Sequence, residues 1–268
     1  MRLMQKSWLA GASLIVLAGM AVNPAMAGTV VVSPTDLNGW AFSNTDNSGT
    51  NASGGFEVGP ATPPLGIGSA QLVVGDANSS EILISALSAP TAPGSFSTLN
   101  YSTYVTTSTL GSGSAPTLQF DLFAGNTYEG RLVFDPGLLL TVTDGTWQSW
   151  NAATEQAWYF TPNSHNSLSS DCSIGNSSKY CTLATAESFL SGLGIEAVDV
   201  LFKAGSGQSS FDGNVDDLSI GTSADTRTTF NFEPAVAAPE PASLTLLGSA
   251  LFGLGVWRRR KGEVTMQR

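Results

Sequence analysis

The stretch "LQFDLF" (118–123) and the later stretch "VDVLFK" (198–203) decide the fold class. In both, apolar and polar residues alternate, which puts the two kinds of side chain on opposite faces of an extended chain. A half-buried β-strand has this pattern, whereas an amphipathic helix repeats every 3.6 residues. Similar short runs recur along the chain, separated by Gly, Ser, Thr and Asn. These residues favour turns, so the sequence predicts many short strands.

The predicted strands are 29–32, 70–74, 81–85, 99–106, 117–123, 129–134, 138–142, 157–160, 197–202, 215–220 and 228–232. One helix is predicted in "TLATAESFLSGLG" (182–194), with Thr182 or Thr185 as its N-cap and a glycine at its end. Its apolar side would consist of Phe189, Leu190 and Leu193. Together these patterns indicate an all-β fold, a two-sheet antiparallel sandwich of jelly-roll type with one short accessory helix.

The first 27 residues have the layout of a secretory signal peptide. Arg2 and Lys6 precede an apolar run, and Pro24 is followed by the small residues Ala25 and Ala27. We therefore expect export and cleavage after Ala27. The alternative is an uncleaved N-terminal membrane anchor. The predicted sandwich domain accordingly covers residues 28–234.

This domain is strongly acidic. Four basic residues stand against 19 acidic ones between residues 28 and 234, a formal net charge of −15. Such a surface repels nucleic acid and anionic lipid, so neither is an expected partner. The charge also suits the solubility of an exported domain.

A nearly uninterrupted apolar run, "ASLTLLGSALFGLGVW" (242–257), follows near the C-terminus. As a helix it would reach about 24 Å, slightly less than the roughly 30 Å of a bilayer core, a deficit that local thinning absorbs. We predict a transmembrane helix here rather than a buried strand or helix. Four cations come directly after it and, by the positive-inside rule, stay in the cytoplasm. They are Arg258, Arg259, Arg260 and Lys261, in a basic tail of residues 258–268.

The tripeptide Pro239-Glu240-Pro241 lies just before this run, in a linker of residues 235–241. Its two prolines prevent both helix formation and pairing in a sheet, so the tripeptide is expected to stay accessible. Together, the Pro-Glu-Pro motif, the apolar span and the Arg cluster resemble the PEP-CTERM sorting signal of Gram-negative bacteria. The resemblance implies processing by an exosortase-like membrane peptidase. The protein would be held in the inner membrane with its body outside the cytoplasm, and then reach the cell surface or extracellular matrix.

The body also resembles a widespread secreted bacterial domain of the jelly-roll type found among surface and carbohydrate-associated modules. The residues that carry this resemblance are "VVVSPTDLNGWAF" (30–42), "GPATPPLGIGSAQL" (59–72), "LNYSTYVT" (99–106), "GTWQSWNA" (145–152) and "VDDLSIG" (215–221). The resemblance implies a sandwich fold of the kind that recurs among such modules, although a fold alone does not define a function.

The chain has two cysteines, Cys172 and Cys181, on either side of a Ser- and Asn-rich loop. Because disulfides persist outside the cytoplasm, we predict that they form one. A metal site would need further ligands, and only His165 is near in sequence.

The segment "FDGNVDDLSIG" (211–221) is a candidate calcium site. Asp212, Asn214 and Asp216 supply the oxygen ligands that hard cations prefer, although the spacing is not that of an EF-hand. The alternative is a solvated turn with one hydrogen-bonded carboxylate. Alternation would place Asp216 on the side of the apolar residues that follow it, where it would need a partner, either Asp36 or Glu233.

Aromatic residues in "TWQSWNAATEQAWYF" (146–160) are candidate ligand contacts. Trp147 and Trp150 could stack on the apolar faces of sugar rings, but large aromatic residues also form sandwich cores, and both interpretations stay open.

No catalytic motif stands out. His165 is the sole histidine, and the sequence contains no G-x-S-x-G, H-E-x-x-H or P-loop. We therefore predict a non-catalytic exported surface or matrix protein that associates with extracellular polysaccharide or the cell surface. The alternatives are a structural or adhesive protein that acts through protein contacts, and a glycan hydrolase that uses paired carboxylates.

Overall fold

The computed structural model of the protein describes residues 28–44, 48–108, 114–162, 172, 180–205 and 210–235. The strands in these ranges are β1 Gly28–Val32, β2 Trp40–Ser43, β3 Ala52–Val58, β4 Gly68–Val74, β5 Ser80–Thr91, β6 Thr98–Ser108, β7 Thr117–Ala124, β8 Thr127–Phe134, β9 Gln148–Asn151, β10 Trp158–Pro162, β11 Ile195–Gly205, β12 Phe211–Gly221 and β13 Thr228–Phe232. The helices are the single-turn α1 Pro136–Leu139 and the two-turn α2 Leu183–Leu190.

The strands form two sheets that pack face to face, which confirms the predicted two-sheet sandwich. In the seven-stranded sheet, β12 is central: β6 pairs along one edge, and β4 and β13 pair with successive parts of the other edge. β3, β1 and β9 extend the sheet beyond β4, β13 and β6. The six-stranded sheet has the order β10-β8-β7-β11-β5-β2. Pairing is antiparallel except between β1 and β13, which run parallel.

Aromatic side chains fill the space between the sheets. The Trp158 and Phe120 rings stack with their centroids 5.8 Å apart, and the edge of Trp40 meets Phe232 at 5.2 Å. Phe120 is fully buried, whereas the next residue, Asp121, lies on the other face of β7 and pairs with Arg131 at 2.6 Å. The alternation that predicted strands in "LQFDLF" therefore sorts side chains between the core and the outer face.

Helix α2 begins as predicted at Thr182, whose side chain accepts a hydrogen bond from the backbone N–H of Thr185. The chain leaves the helical region at Gly194, which has a left-handed conformation. Leu190 is buried, but Leu193 is 48% exposed, so its predicted place on the apolar side is wrong. Leu193 lies in the 3-10 turn after α2, where the helical periodicity no longer applies.

Cys172 and Cys181 form the predicted disulfide, just before α2. Cys181 is also tied to β10, because its backbone exchanges two hydrogen bonds with Trp158. The bond thus connects the segment before α2 to the edge of the six-stranded sheet.

The predicted strand 138–142 is wrong. Pro136 instead starts helix α1, and the Asp135 carboxylate caps it by accepting from the N–H of Gly137. Three strands were not predicted, namely β2, β3 and β9. β3 has the sequence "ASGGFEV", and its adjacent glycines have weak strand propensity. Pairing with β4 over its whole length stabilises it instead.

The predicted signal peptide (1–27) and the predicted transmembrane helix (242–257) lie outside the described residues. Within the described ranges, no helix is both long enough and apolar enough to cross a membrane.

Candidate functional site

The outer face of the seven-stranded sheet brings together the site residues predicted on β12. Val215 is fully buried on the core side of this strand, so Asn214 and Asp216 point to the outer side. Asp212 lies two residues before Asn214 and shares its face. The period of two thus puts all three polar residues on one face, away from the core.

Strand register extends this face across four strands. Asn214 of β12 pairs with Gln71 of β4 on one edge and with Tyr104 of β6 on the other. Gln71 in turn pairs with Gly55 of β3. The residues Gly55, Gln71, Asn214 and Tyr104 therefore form a transverse row, which we call the polar row. At about 4.8 Å per strand, the row is roughly 14 Å long.

Amide and carboxylate groups in and beside the polar row bind one another. Gln71 Nε2 donates to Asp212 Oδ1 at 2.9 Å. Asn214 Nδ2 donates to Glu57 Oε1 at 2.8 Å and to Ser69 Oγ at 3.0 Å. Asn214 Oδ1 is buried and accepts no hydrogen bond among the described residues. The row therefore contains fixed hydrogen-bonding groups and one acceptor without a donor.

At one end of the polar row, Gly55 leaves open space. A Cβ added there would have no neighbouring atom within 4 Å. At the other end stands an aromatic pair, Tyr104 and Trp147, both half-buried, with ring centroids 5.7 Å apart and planes inclined by 55°. The row thus runs from an open glycine to a partly exposed aromatic surface.

A loop of residues 59–67 crosses the face beside the polar row. The indole Nε1 of Trp147 donates to the Pro60 carbonyl at 2.8 Å, which ties the aromatic end of the row to this loop. The backbone N–H of Leu65 donates to Asp216 Oδ2 at 2.9 Å, and the N–H of Ile67 donates to Glu233 Oε1 at 3.1 Å. The loop explains why Asp216 is fully buried although it points away from the core.

Asp216 acts as a backbone acceptor beneath the loop. Besides Leu65, it accepts from the N–H of Phe232 at 3.1 Å. Burial raises the pKa of Asp216 to about 7, while these N–H donors act in the opposite direction. The expectation that Asp36 or Glu233 would be its partner is wrong, because backbone N–H groups take that role.

The expectation that Asp216 shares a side with Leu218 is also wrong. The register between β12 and β6 shifts between Asp216 and Ser219, and Asp217 has a positive φ of 54°. This bulge adds a residue and reverses the alternation, so Asp216 faces outward while Leu218 faces the core.

The calcium prediction is not confirmed. Asp212 and Asp216 are four positions apart on extended strand β12, which is about 13 Å along the strand. Asp212 is bound by the Gln71 amide and Asp216 by backbone N–H groups, so neither carboxylate turns toward a common centre. Among the described residues, no group of three or more His, Cys, Asp or Glu is placed to hold a metal ion.

The two candidate tryptophans occupy different environments. Trp150 is 6% exposed, lies on the core side of β9, and donates its Nε1–H to Thr103 Oγ1 at 2.8 Å. Its predicted role as a ligand contact is therefore wrong. Trp147, three residues earlier, lies on the outer face and stays a predicted ligand contact.

The sorting motif Pro239-Glu240-Pro241, the cations at 258–261 and His165 lie outside the described residues. The family described as "PEP-CTERM protein-sorting motif" matches residues 237–261. The chain therefore carries this sorting signal at the place where the sequence predicted it.

No curated protein matches the chain. Among solved structures, a family 11 carbohydrate-binding module of the cellulase Lic26A-Cel5E of Clostridium thermocellum is similar, with 10% identity, a TM-score of 0.37, and coverage of 75% of this chain and 91% of that one. The family 11 module in complex with a β-1,3-1,4-mixed-linked tetrasaccharide has 11% identity, a TM-score of 0.37, and coverages of 73% and 91%. A β-1,2-glucanase from Parabacteroides distasonis has 13% identity and a TM-score of 0.37, over 74% of this chain and 24% of that one.

Proposed function

We propose that this protein is a non-catalytic exported surface or matrix protein that binds extracellular polysaccharide on the outer face of its seven-stranded sheet. The observation that carries the proposal is the polar row beside the Tyr104–Trp147 pair. Aromatic rings match the apolar C–H faces of sugar rings, and fixed amides and carboxylates match sugar hydroxyls. Both kinds of group occur side by side here, on a part of the sheet that does not belong to the core.

The charge of the domain favours a neutral polymer. Its formal charge of −15 repels polyanions, and Asp212 and Glu57 add negative charge near the polar row itself. An uncharged polysaccharide would approach without this repulsion, and its hydroxyls could donate to half-buried carboxylates such as that of Asp212.

The arrangement of acidic residues supports binding rather than hydrolysis. Glu57 lies on β3 and Asp212 on β12, two strand spacings apart. A glycosidase that uses paired carboxylates needs one carboxyl group available as the acid and the other as base or nucleophile. Each of the two is also engaged by an amide, Asn214 or Gln71.

The sorting signal supports the extracellular part of the proposal. A chain that carries the PEP-CTERM motif would be held at the membrane by its apolar run and then processed by an exosortase-like peptidase. Replacing Pro239, Glu240 and Pro241 by Ala in the full chain should leave an unprocessed, membrane-bound form. Fractionation and gel mobility would reveal it. Normal processing of this variant would refute the assigned role of the tripeptide.

The binding part is tested by co-sedimentation of the processed protein with the host's purified exopolysaccharide. Gly55→Trp places a large side chain over the polar row in open space and should reduce binding at least tenfold. Gly192→Trp is the matched control, because an added Cβ there also meets nothing within 4 Å and the position follows α2. Equal binding by the two variants would refute the proposed face. Product sizing of the incubated polymer would detect any hydrolysis.

A further inference from the structure

We propose that a second site, a cleft between the two sheets, binds a neutral saccharide unit. The cleft lies where β5 of one sheet faces β12 and β13 of the other. It has a volume of about 530 Å³ and shares no lining residue with the polar row. This volume is within the roughly 300–1,000 Å³ of typical small-molecule sites.

The cleft follows from unequal strand lengths. β2 pairs with β5 only between Ser43–Ile82 and Trp40–Ser85, whereas β5 continues to Thr91. Within the described strands, this last part of β5 pairs only with β11, at Ala86 and Thr91, and the register shifts between these two positions. The space beside the other edge is bounded by β13 and by the residues after β12.

The lining combines free hydroxyl groups with apolar walls. The hydroxyls of Ser88, Thr222 and Thr228 point to no hydrogen-bonding partner among the described residues, and the walls include Leu87, Phe96 and Phe230. A hydroxyl both donates and accepts, as sugar hydroxyls do. Phenyl rings and aliphatic side chains fit the C–H faces of a sugar ring.

The lining also carries no formal charge. None of the described residues around the cleft is Asp, Glu, Lys or Arg, although the domain as a whole is strongly acidic. A charged ligand would lose its hydration without gaining a counter-charge, which is unfavourable. Among polyhydroxylated ligands, the cleft therefore fits a neutral sugar rather than a uronate or a sugar phosphate.

The cleft and the polar row lie on opposite sides of the same sheet. Phe230 pairs with the core residue Leu218, so it faces the six-stranded sheet and the cleft. The neighbouring Thr229 points outward and bonds to Ser219 at 2.7 Å. Two polymer chains could thus be bound at once, and the protein would cross-link them. This consequence, unlike the cleft itself, rests on the proposed function of the outer face.

The test uses the processed protein and NMR or calorimetric titration with four neutral probes: mixed-linkage β-glucotetraose, xylotetraose, mannotetraose and galactotetraose. We expect at least one probe to shift the amide signals of Ser88 and Thr222. The double variant Thr222→Val/Thr228→Val keeps the side-chain shape but removes two hydroxyls, and should weaken that binding about tenfold. Thr29→Val, which removes an exposed hydroxyl on β1, is the matched control and should bind normally.

The variants separate the two sites. If Gly55→Trp abolishes all binding and the cleft variant has none of the expected effect, the cleft proposal fails and the proposed function stands. If the cleft variant weakens binding while Gly55→Trp does not, the outer face fails and the cleft stands. Absence of any shift with all four probes, or a shift produced only by a neutral peptide such as trialanine, overturns the cleft proposal.

Discussion

Replacement of Trp150 by Ala separates the core role of one tryptophan from the surface role of the other. Trp150 is 6% exposed, and its indole N–H is bonded to the hydroxyl of Thr103, which is itself 1% exposed. Trp147 is only half-buried, and its N–H is bonded to a loop carbonyl, that of Pro60. We therefore expect Trp150→Ala to reduce stability severely, and Trp147→Ala to act mainly on binding.

The magnitude follows from burial. Truncation of a buried Trp to Ala costs about 3–5 kcal/mol, through lost transfer free energy and the cavity left behind. For a domain of about 200 residues, 1 kcal/mol lowers the melting temperature by roughly 2–4 °C. Trp150→Ala should thus lower it by about 6–20 °C. Trp147→Ala loses one partly exposed hydrogen bond and half-buried area, and we expect a loss of about 1–2 kcal/mol.

Thermal unfolding followed by near-ultraviolet circular dichroism gives the stabilities, and co-sedimentation with exopolysaccharide at 15 °C gives binding to the folded protein. Trp150→Phe keeps a ring in the core but loses the N–H donor to Thr103, so its loss should be intermediate. At 15 °C, folded Trp150→Ala should still bind, whereas folded Trp147→Ala should not. A fall of less than 3 °C for Trp150→Ala, together with lost binding, would refute this assignment.

Three further predictions concern stability. Burial raises the pKa of Glu81 to about 7, so the folded state binds its proton more tightly than the unfolded chain, whose pKa is near 4.5. Stability should therefore fall as the pH rises from about 4.5 to above 7, and thermal unfolding of Glu81→Gln should show a smaller fall. Gly54→Ala should cost about 1–3 kcal/mol in urea unfolding, because its Cβ would lie 2.7 Å from the Glu81 carboxylate and closer still to a phenyl ring, whereas Gly55→Ala should be neutral. Replacing Cys172 and Cys181 by Ser removes a loop constraint spanning nine residues and should cost about 3 kcal/mol, and reductant should then have no further effect on melting.

The alternation of apolar and polar residues predicts those features of the fold that depend on a single strand. The alternation at 118–123 correctly separates Phe120 in the core from Asp121 outside it. Where a strand is irregular, the same rule fails: the bulge at Asp217 depends on pairing with β6, so alternation placed Asp216 on the wrong side. β3 was missed for a related reason, because its stability comes from β4 rather than from its own residues.

The candidate site was predictable in part. β12 and Trp147 were identified because polar residues and aromatic residues are dense in their segments. Gln71 and Tyr104 could not be identified in this way, since each belongs to an ordinary strand, β4 or β6. They join Asn214 only through inter-strand register, which involves strands distant in sequence. Trp147 and Trp150 are an odd number of residues apart, so their side chains lie on opposite sides of the sheet. Which side each one takes depends on where β9 begins, and such boundaries are the least predictable feature of a strand.

The position of the chain's exit suggests one more prediction, that processing controls access to the polar row. The last described residues leave the sheet beside the loop of residues 59–67: Glu233 accepts from Ile67 N–H, and a Cβ at Gly68 would overlap the ring of Pro234. A linker of seven residues, 235–241, extends at most about 25 Å. While the predicted span 242–257 is inserted, the loop would be held within about that distance of the bilayer.

A long polysaccharide would have little room to approach the polar row in that state, whereas a tetrasaccharide would still diffuse in. We therefore expect the unprocessed Pro239→Ala/Glu240→Ala/Pro241→Ala variant, in membrane vesicles with its body exposed, to bind tetrasaccharide as the processed protein does but to bind polymer at least tenfold more weakly. The processed protein, mixed with vesicles that lack the variant, controls for the lipid itself. Equal polymer binding by both forms would mean that the anchor does not restrict the face, and the sorting signal would then affect only where the protein resides.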